Sequence, residues 1–148
     1  MKIRSAVKTA FAGILLLFAL GATADGGGSS YVASLPDSLV DLVEKEQFTE
    51  AVPALTKFVR KERNNADAWN LLGYSQRKTG MLKKSLKSYR KALSLDPGHI
   101  GAHEYIGELY LMMDKPDKAR KHLKRLKRYC GDCEQVQKLA DAIEKHAG

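Results

Sequence analysis

The chain has 148 residues, 44% of them hydrophobic, with 25 Lys and Arg against 17 Asp and Glu and a formal charge of +8. That length houses one modest core and leaves no room for a two-domain enzyme. Two Cys, 12 Gly and four Pro exclude a disulfide-dense or collagen-like chain, and the wealth of Leu, Ala and Lys favours helices over sheets.

Residues 1–24 read as a secretory signal peptide. Lys2, Arg4 and Lys8 precede an uncharged apolar run from Thr9 to Leu20, and Ala22 and Ala24 place small side chains at alternate positions before the expected cleavage point. The run is too short to cross a hydrocarbon core of about 30 Å. Export of a bacterial kind predicts a periplasmic or secreted protein, makes nucleic acid an unexpected partner and permits a disulfide. Residues 25–34, rich in Gly and Ser, are expected to form a flexible leader.

The remainder repeats itself at a spacing of 34 residues: Trp69 aligns with His103, Leu72 with Ile106, Gly73 with Gly107, Ser85 with Ala119, Tyr89 with Leu123, and Ala92 with Leu126. Each period holds two apolar stripes at helical spacing, Trp69, Leu72 and Gly73 on one and Leu82, Leu86, Tyr89 and Leu93 on the other, with Thr79-Gly80 between them. Each period therefore predicts a helical hairpin, and a fixed period predicts a stack of them.

These residues resemble the tetratricopeptide repeat family. In residues 66–99, Trp69, Leu72, Gly73, Tyr89, Ala92 and Pro97 stand at the family's positions, with Gln76 where Tyr is usual. Residues 100–133 form a second copy through Gly107, Tyr110 and Ala119, departing at His103 and Gly131. Residues 35–65 are a degenerate first copy carrying Ala51, Leu55 and Phe58. The resemblance implies an all-α, short right-handed solenoid of helical hairpins. Gly73 and Gly107 are expected to let the two helices of each hairpin approach closely, and Ala92 and Ala119 to admit a neighbour's bulk.

A stack of this kind needs a polar-faced cap at its end. Residues 134–148 supply a C-terminal capping helix, with Val136, Leu139, Ala140 and Ile143 on one face and Glu134, Gln137, Lys138, Asp141 and Lys145 on the other. Asp132 and Gln135 suggest a capping box at its start. Residues 96–146 are also similar to small exported bacterial proteins of the same repeat family with a terminal Cys pair.

Cys130 and Cys133 are the most specific local feature. Cys130 continues the stripe Ala119, Leu123, Leu126, and a disulfide across so short a loop would staple the corner before the cap. The rival reading is redox or metal handling: C-x-x-C at a helix start is a redox arrangement. The hairpin geometry would also bring His99 and His103 to the same end as the two Cys, a two-His, two-Cys set for a metal. His103 in the Trp position and His99 as a loop cap are the plainer reading. No phosphate loop, nucleophile elbow or complete zincin motif is present, so no enzyme activity and no cofactor is expected.

The family likeness places the first helices on the concave face. Carried over, this gives Asn70, Tyr74, Arg77 and Lys78 from one unit and Glu104, Glu108, Leu111 and Met112 from the next as a groove for a protein or peptide segment. Tyr74, Leu111 and Met112 would supply apolar contact, Arg77 and Lys78 an anion contact, and Asn70 a hydrogen bond. Glu104 and Glu108 are expected as binding or solvated groups. The second helices are basic, Lys83 to Lys91 and Lys118 to Arg128 carrying almost no acid, a face suited to weak contact with an anionic membrane surface.

Overall fold

A computed structural model describes residues 34–148, which lie within one compact unit. The expected signal peptide and all but the last residue of the expected leader fall outside the described residues. Among the described residues the fold is all-α, with seven helices: α1 (Asp37–Glu44), α2 (Phe48–Lys61), α3 (Ala66–Lys78), α4 (Leu82–Leu95), α5 (Ile100–Met112), α6 (Pro116–Cys130) and α7 (Glu134–Ala147). Each packs against its predecessor or successor, α5 also touches α3, and α7 packs on both α6 and α5. Helix α7 thus takes the place that the first helix of another hairpin would occupy.

The turns inside the three hairpins are one structure written three times. Glu46, Gly80 and Asp114 each have positive φ, at 55°, 76° and 54°. After each, an amide donates back to a carbonyl in the preceding helix: Gln47 N to Leu42 O, Met81 N to Gln76 O and Lys115 N to Tyr110 O, all at 2.8 Å. This is a left-handed helix ending, which satisfies carbonyls that the helix itself leaves orphaned. Only Gly80 adopts it without a Cβ penalty.

The helix starts keep the same register. Asn65 Oδ1 accepts from Ala68 N at 2.8 Å before α3, and His99 Nδ1 accepts from Ala102 N at 3.2 Å before α5. One period further on, the residue at the start of α7 is Cys133, in extended backbone with no side-chain capping bond. The capping box expected from Asp132 and Gln135 is therefore absent, because the repeat sets the helix start one residue later than Asp132.

The side chains at the family's Trp position also do equivalent work. Trp69 Nε1 donates to Arg63 O at 2.9 Å, and His103 Nε2 bonds Pro97 O at the same distance, each six residues back. A carbonyl only accepts, so His103 Nε2 carries the proton.

The glycines divide their roles. A Cβ on Gly73 would lie 2.6 Å from the Tyr89 ring, so here the two helices of one hairpin close tightly, joined also by Ser85 Oγ donating to Gly73 O at 2.7 Å. A Cβ on Gly107 would instead lie 2.5 Å from Leu139 in α7. The expectation that Gly107 serves its own hairpin is thus corrected. Leu123 stands at the counterpart of Tyr89 and is only partly buried, and the space over Gly107 is filled by the cap. Leu139 is fully buried, worth about 1.5–3 kcal/mol for the side chain, and Val136 and Ile143 flank it in the same core.

Two measurements check this packing. Gly107→Ala is expected to destabilise the chain by about 1–3 kcal/mol in urea unfolding. Combined with Leu139→Ala, it should cost less than the two single losses together by about 1 kcal/mol, since the clash has lost its partner. Independently, Glu46→Gly should raise the unfolding midpoint, corresponding to about 0.5–1 kcal/mol, by relieving the left-handed backbone.

Candidate functional site

The first-helix face carries a run of rings and cations. The Phe48 ring, at the start of α2, meets Tyr74 edge-on with centroids 5.6 Å apart, and Tyr74 lies 5.0 Å from Tyr105. The Arg77 guanidinium sits 5.4 Å from the Tyr74 centroid and 5.6 Å from that of Tyr105. Lys78 Nζ lies 5.5 Å from the Phe48 centroid and 5.9 Å from that of Tyr74. These distances suit cation–π attraction, strongest where water is excluded. Arg77 Nη1 pairs with Glu108 Oε2 at 2.7 Å, tying α3 to α5.

The helical spacing that brings Tyr74, Arg77 and Lys78 to one side also sets the limits of the face. Lys78 and Met112 are exposed, and Tyr74, Arg77 and Glu108 are partly so. Asn70, Glu104 and Leu111 are buried, at 7%, 5% and 8% exposure, and do not offer the open surface expected of them. The cause is the next helix in the stack. A Cβ on Gly101 of α5 would lie 3.3 Å from Asn70 Nδ2. Glu104, one period later, feels Lys138 and Glu134 of α7. Leu111 belongs to the core shared with Val136, Leu139 and Ile143.

Phe48 and Tyr105 were not singled out by the sequence. Phe48 sits in the degenerate unit, where family positions are hard to assign, and Tyr105 occupies the apolar counterpart of Leu71.

Burial, and secondarily the charge of Glu108, raise the Glu104 carboxyl to about 7, while Lys138 and Arg77 pull it the other way. Burial likewise pushes the Tyr105 phenol up to about 12.

The residues of the rival metal set are engaged elsewhere. Cys130 and Cys133 form a disulfide with Cα atoms 5.6 Å apart. Between them Gly131, at φ 65°, turns the chain from α6 into α7. His99 Nε2 lies 3.1 Å from Asp67 Oδ1, holding that carboxyl below its ordinary range. His103 is 2% exposed, with Nδ1 3.0 Å from Nδ1 of His122. The structure therefore does not gather His99, His103, Cys130 and Cys133 around a common point for a metal. His122 was missed in the sequence; the sign of it is a His within the inward stripe Ala119, Leu123, Leu126 of α6.

The second helices present the basic face. Lys83, Lys84, Lys87 and Arg90 of α4 are exposed, and so are seven cations of α6 from Lys118 to Arg128. Asp117 is the single acid in either helix, bound to Arg120 at 2.9 Å.

Comparison with known proteins follows the same units. Models of the Tetratricopeptide repeat match residues 66–99 and 102–130. Protein FlbA of Caulobacter vibrioides is 30% identical over 82 residues, which is 55% of this chain and 14% of FlbA. The structure of MamA from Desulfovibrio magneticus RS-1 superposes with a TM-score of 0.61 at 26% identity, over 63% of this chain and 52% of that one. YrrB, described as a TPR protein with an unusual peptide-binding site, gives 0.65 at 25% identity over 70% and 53%. The chain thus spans about half the length of these two structures and a small part of FlbA.

The raised Glu104 carboxyl sets a pH dependence. The folded chain binds more protons than the unfolded chain between the ordinary 4.5 and about 7. Its contribution to stability is full below 4.5 and is lost as pH rises through about 7. Glu104→Gln should therefore stabilise the protein by ~2 kcal/mol at about pH 8 and change little at about pH 4, read from urea midpoints at the two values.

Proposed function

Because this chain belongs to the tetratricopeptide repeat family, we propose that it is a protein-interaction module that holds an extended segment of a partner against the face of α3 and α5. The observation that carries this reading is the run Phe48, Tyr74, Tyr105 crossed by Arg77 and Lys78. Tyr and Arg are enriched among the residues that dominate protein interfaces: Tyr offers a broad apolar body with a polar tip at little entropic cost, and Arg a planar group that stacks on rings and donates several hydrogen bonds. Arg77 is already neutralised by Glu108, so Lys78 is the cation open to an acidic group of the partner, and Met112 extends the apolar margin. The peptide-binding site ascribed to YrrB supports a peptide-like partner.

Export to the periplasm or medium, and a role as an assembly scaffold there, complete the proposal. Three cations, an apolar run and the Ala22 to Ala24 ending support export. The Cys130–Cys133 disulfide, rare in reducing compartments, supports it further and acts as a staple between α6 and the cap.

The test compares crosslinked neighbours recovered from a cell-envelope extract by the native chain and by Tyr74→Ala/Lys78→Glu. Both positions leave the Arg77–Glu108 pair in place, and circular dichroism checks that the variant is folded. The variant is expected to lose recovery of specific neighbours by about tenfold; equal recovery by both proteins would place the interaction elsewhere.

A further inference from the structure

On the opposite side of the stack from the aromatic run, a cavity of about 410 Å³ opens between the second helices, lined by Arg90 and Ser94 of α4, Tyr110 of α5, and His122 and Arg125 of α6. No carboxylate lines it. Among the described residues neither Arg90 nor Arg125 has an ion pair; Arg90 Nη2 donates to the Tyr110 hydroxyl at 3.2 Å. Two guanidiniums lining one cavity without a counter-charge suit an oxyanion, since guanidinium forks match oxyanions in shape as well as charge.

The buried histidines narrow the anion further. His103 Nε2 gives its proton to Pro97 O, and burial holds the ring neutral, so Nδ1 is left as an acceptor. His122 Nδ1, 3.0 Å away, must then be the donor. This places the lone pair of a neutral His122 on Nε2, which has no hydrogen-bond partner among the described residues. Burial, the neighbouring His103, and the Arg125 and Arg90 charges push the His122 imidazole down to about 3, so the ring stays an acceptor at that nitrogen. A site with two guanidiniums and one acceptor fits an oxyanion that still carries an O–H. A phosphomonoester, with its second ionisation near about 6, keeps that proton in its monoanionic form; sulfate and carboxylate anions do not.

We propose that this cavity binds the phosphate of a phosphomonoester, with Arg90 and Arg125 holding its anionic oxygens and His122 Nε2 accepting its remaining O–H. The Tyr110 hydroxyl fixes the Arg90 fork, and the surrounding lysines of α4 and α6 raise the local anion concentration. The group could reach the cavity on a soluble ester or on a lipid headgroup; the recognition chemistry is the same.

The experiment uses the full-length chain labelled with nitrogen-15, at about pH 6, where the phosphomonoester keeps an O–H in a large fraction of molecules. Glycerol 3-phosphate is titrated while the His122 imidazole nitrogens are followed by NMR, against sodium sulfate at matched ionic strength. A saturable shift with glycerol 3-phosphate and at least about tenfold weaker binding of sulfate is expected. Arg125→Gln removes an exposed side chain that makes no hydrogen bond among the described residues, so the fold is spared; it should weaken glycerol 3-phosphate by about tenfold. Lys84→Gln/Lys124→Gln, at exposed lysines of α4 and α6 that do not line the cavity, should stay within about twofold, as expected for screened surface charge. Absence of a saturable shift, sulfate binding as tightly as the ester, or an equal loss in the lysine variant would overturn the proposal. Phosphatidylcholine vesicles with and without phosphatidic acid then distinguish the source. Displacement of glycerol 3-phosphate by the phosphatidic acid vesicles alone assigns the site to a lipid headgroup, and failure to displace it assigns the site to a soluble ester; either result upholds phosphate recognition.

Discussion

The structure depends on how closely each first helix can be seated between its neighbours. A hairpin of two amphipathic helices has more apolar surface than its own partner covers, so the flank left open must be sealed by the helix that follows. Gly73 admits the Tyr89 ring from within its hairpin, and Gly107 admits Leu139 from the cap. Without that last contact the core around Ile106, Leu109 and Leu126 would lose its cover of Val136, Leu139 and Ile143, which is why α7 is built like a first helix.

The same seating shapes the candidate site. Wherever a following first helix exists, it covers the start of the one before it: α5 closes over Asn70 and α7 over Glu104. Of the expected groove residues, Tyr74, Arg77, Lys78, Glu108 and Met112 stay at least partly open, whereas Leu111, two turns after Glu104, is held in the core with α7. Electrostatics then separates the two sides. The acids Glu104 and Glu108 lie by the first helices and balance Arg77, whereas α4 and α6 keep their cations almost unopposed. A neutralised aromatic face and an unneutralised basic face make different demands on what binds them.

Replacing Trp by His at a repeated position preserves one interaction and creates another. His103 donates to Pro97 O as Trp69 donates to Arg63 O, so the hairpin entrance is held in the same way. An imidazole has a second nitrogen that indole lacks, and buried away from water that nitrogen requires a partner. His122 supplies it. The buried histidine pair is a consequence of that substitution, and it orients the lone pair of His122 in the cavity between α4 and α6.

Much of the architecture was legible in the order of residues, because a repeated pattern of apolar side chains at helical spacing admits few folds: the period, the three hairpins, the cap and the proximity of Cys130 to Cys133 all follow from local spacing. The break between the helices was visible at Thr79-Gly80, but not its left-handed backbone, which Glu46 and Asp114 also adopt because packing imposes it. What the order of residues could not decide was which neighbour occupies a given space. Gly107 faces α7 because Leu123 is too small and too exposed to do what Tyr89 does; α7 starts after Cys133 because the stack, and not the nearest acidic residue, sets its register; and Asn70, Glu104 and Leu111 are buried because helices distant in sequence lie over them. His122 became a partner of His103 for the same reason: burial and contact between helices are properties of the assembled stack, and spacing within one helix does not contain them.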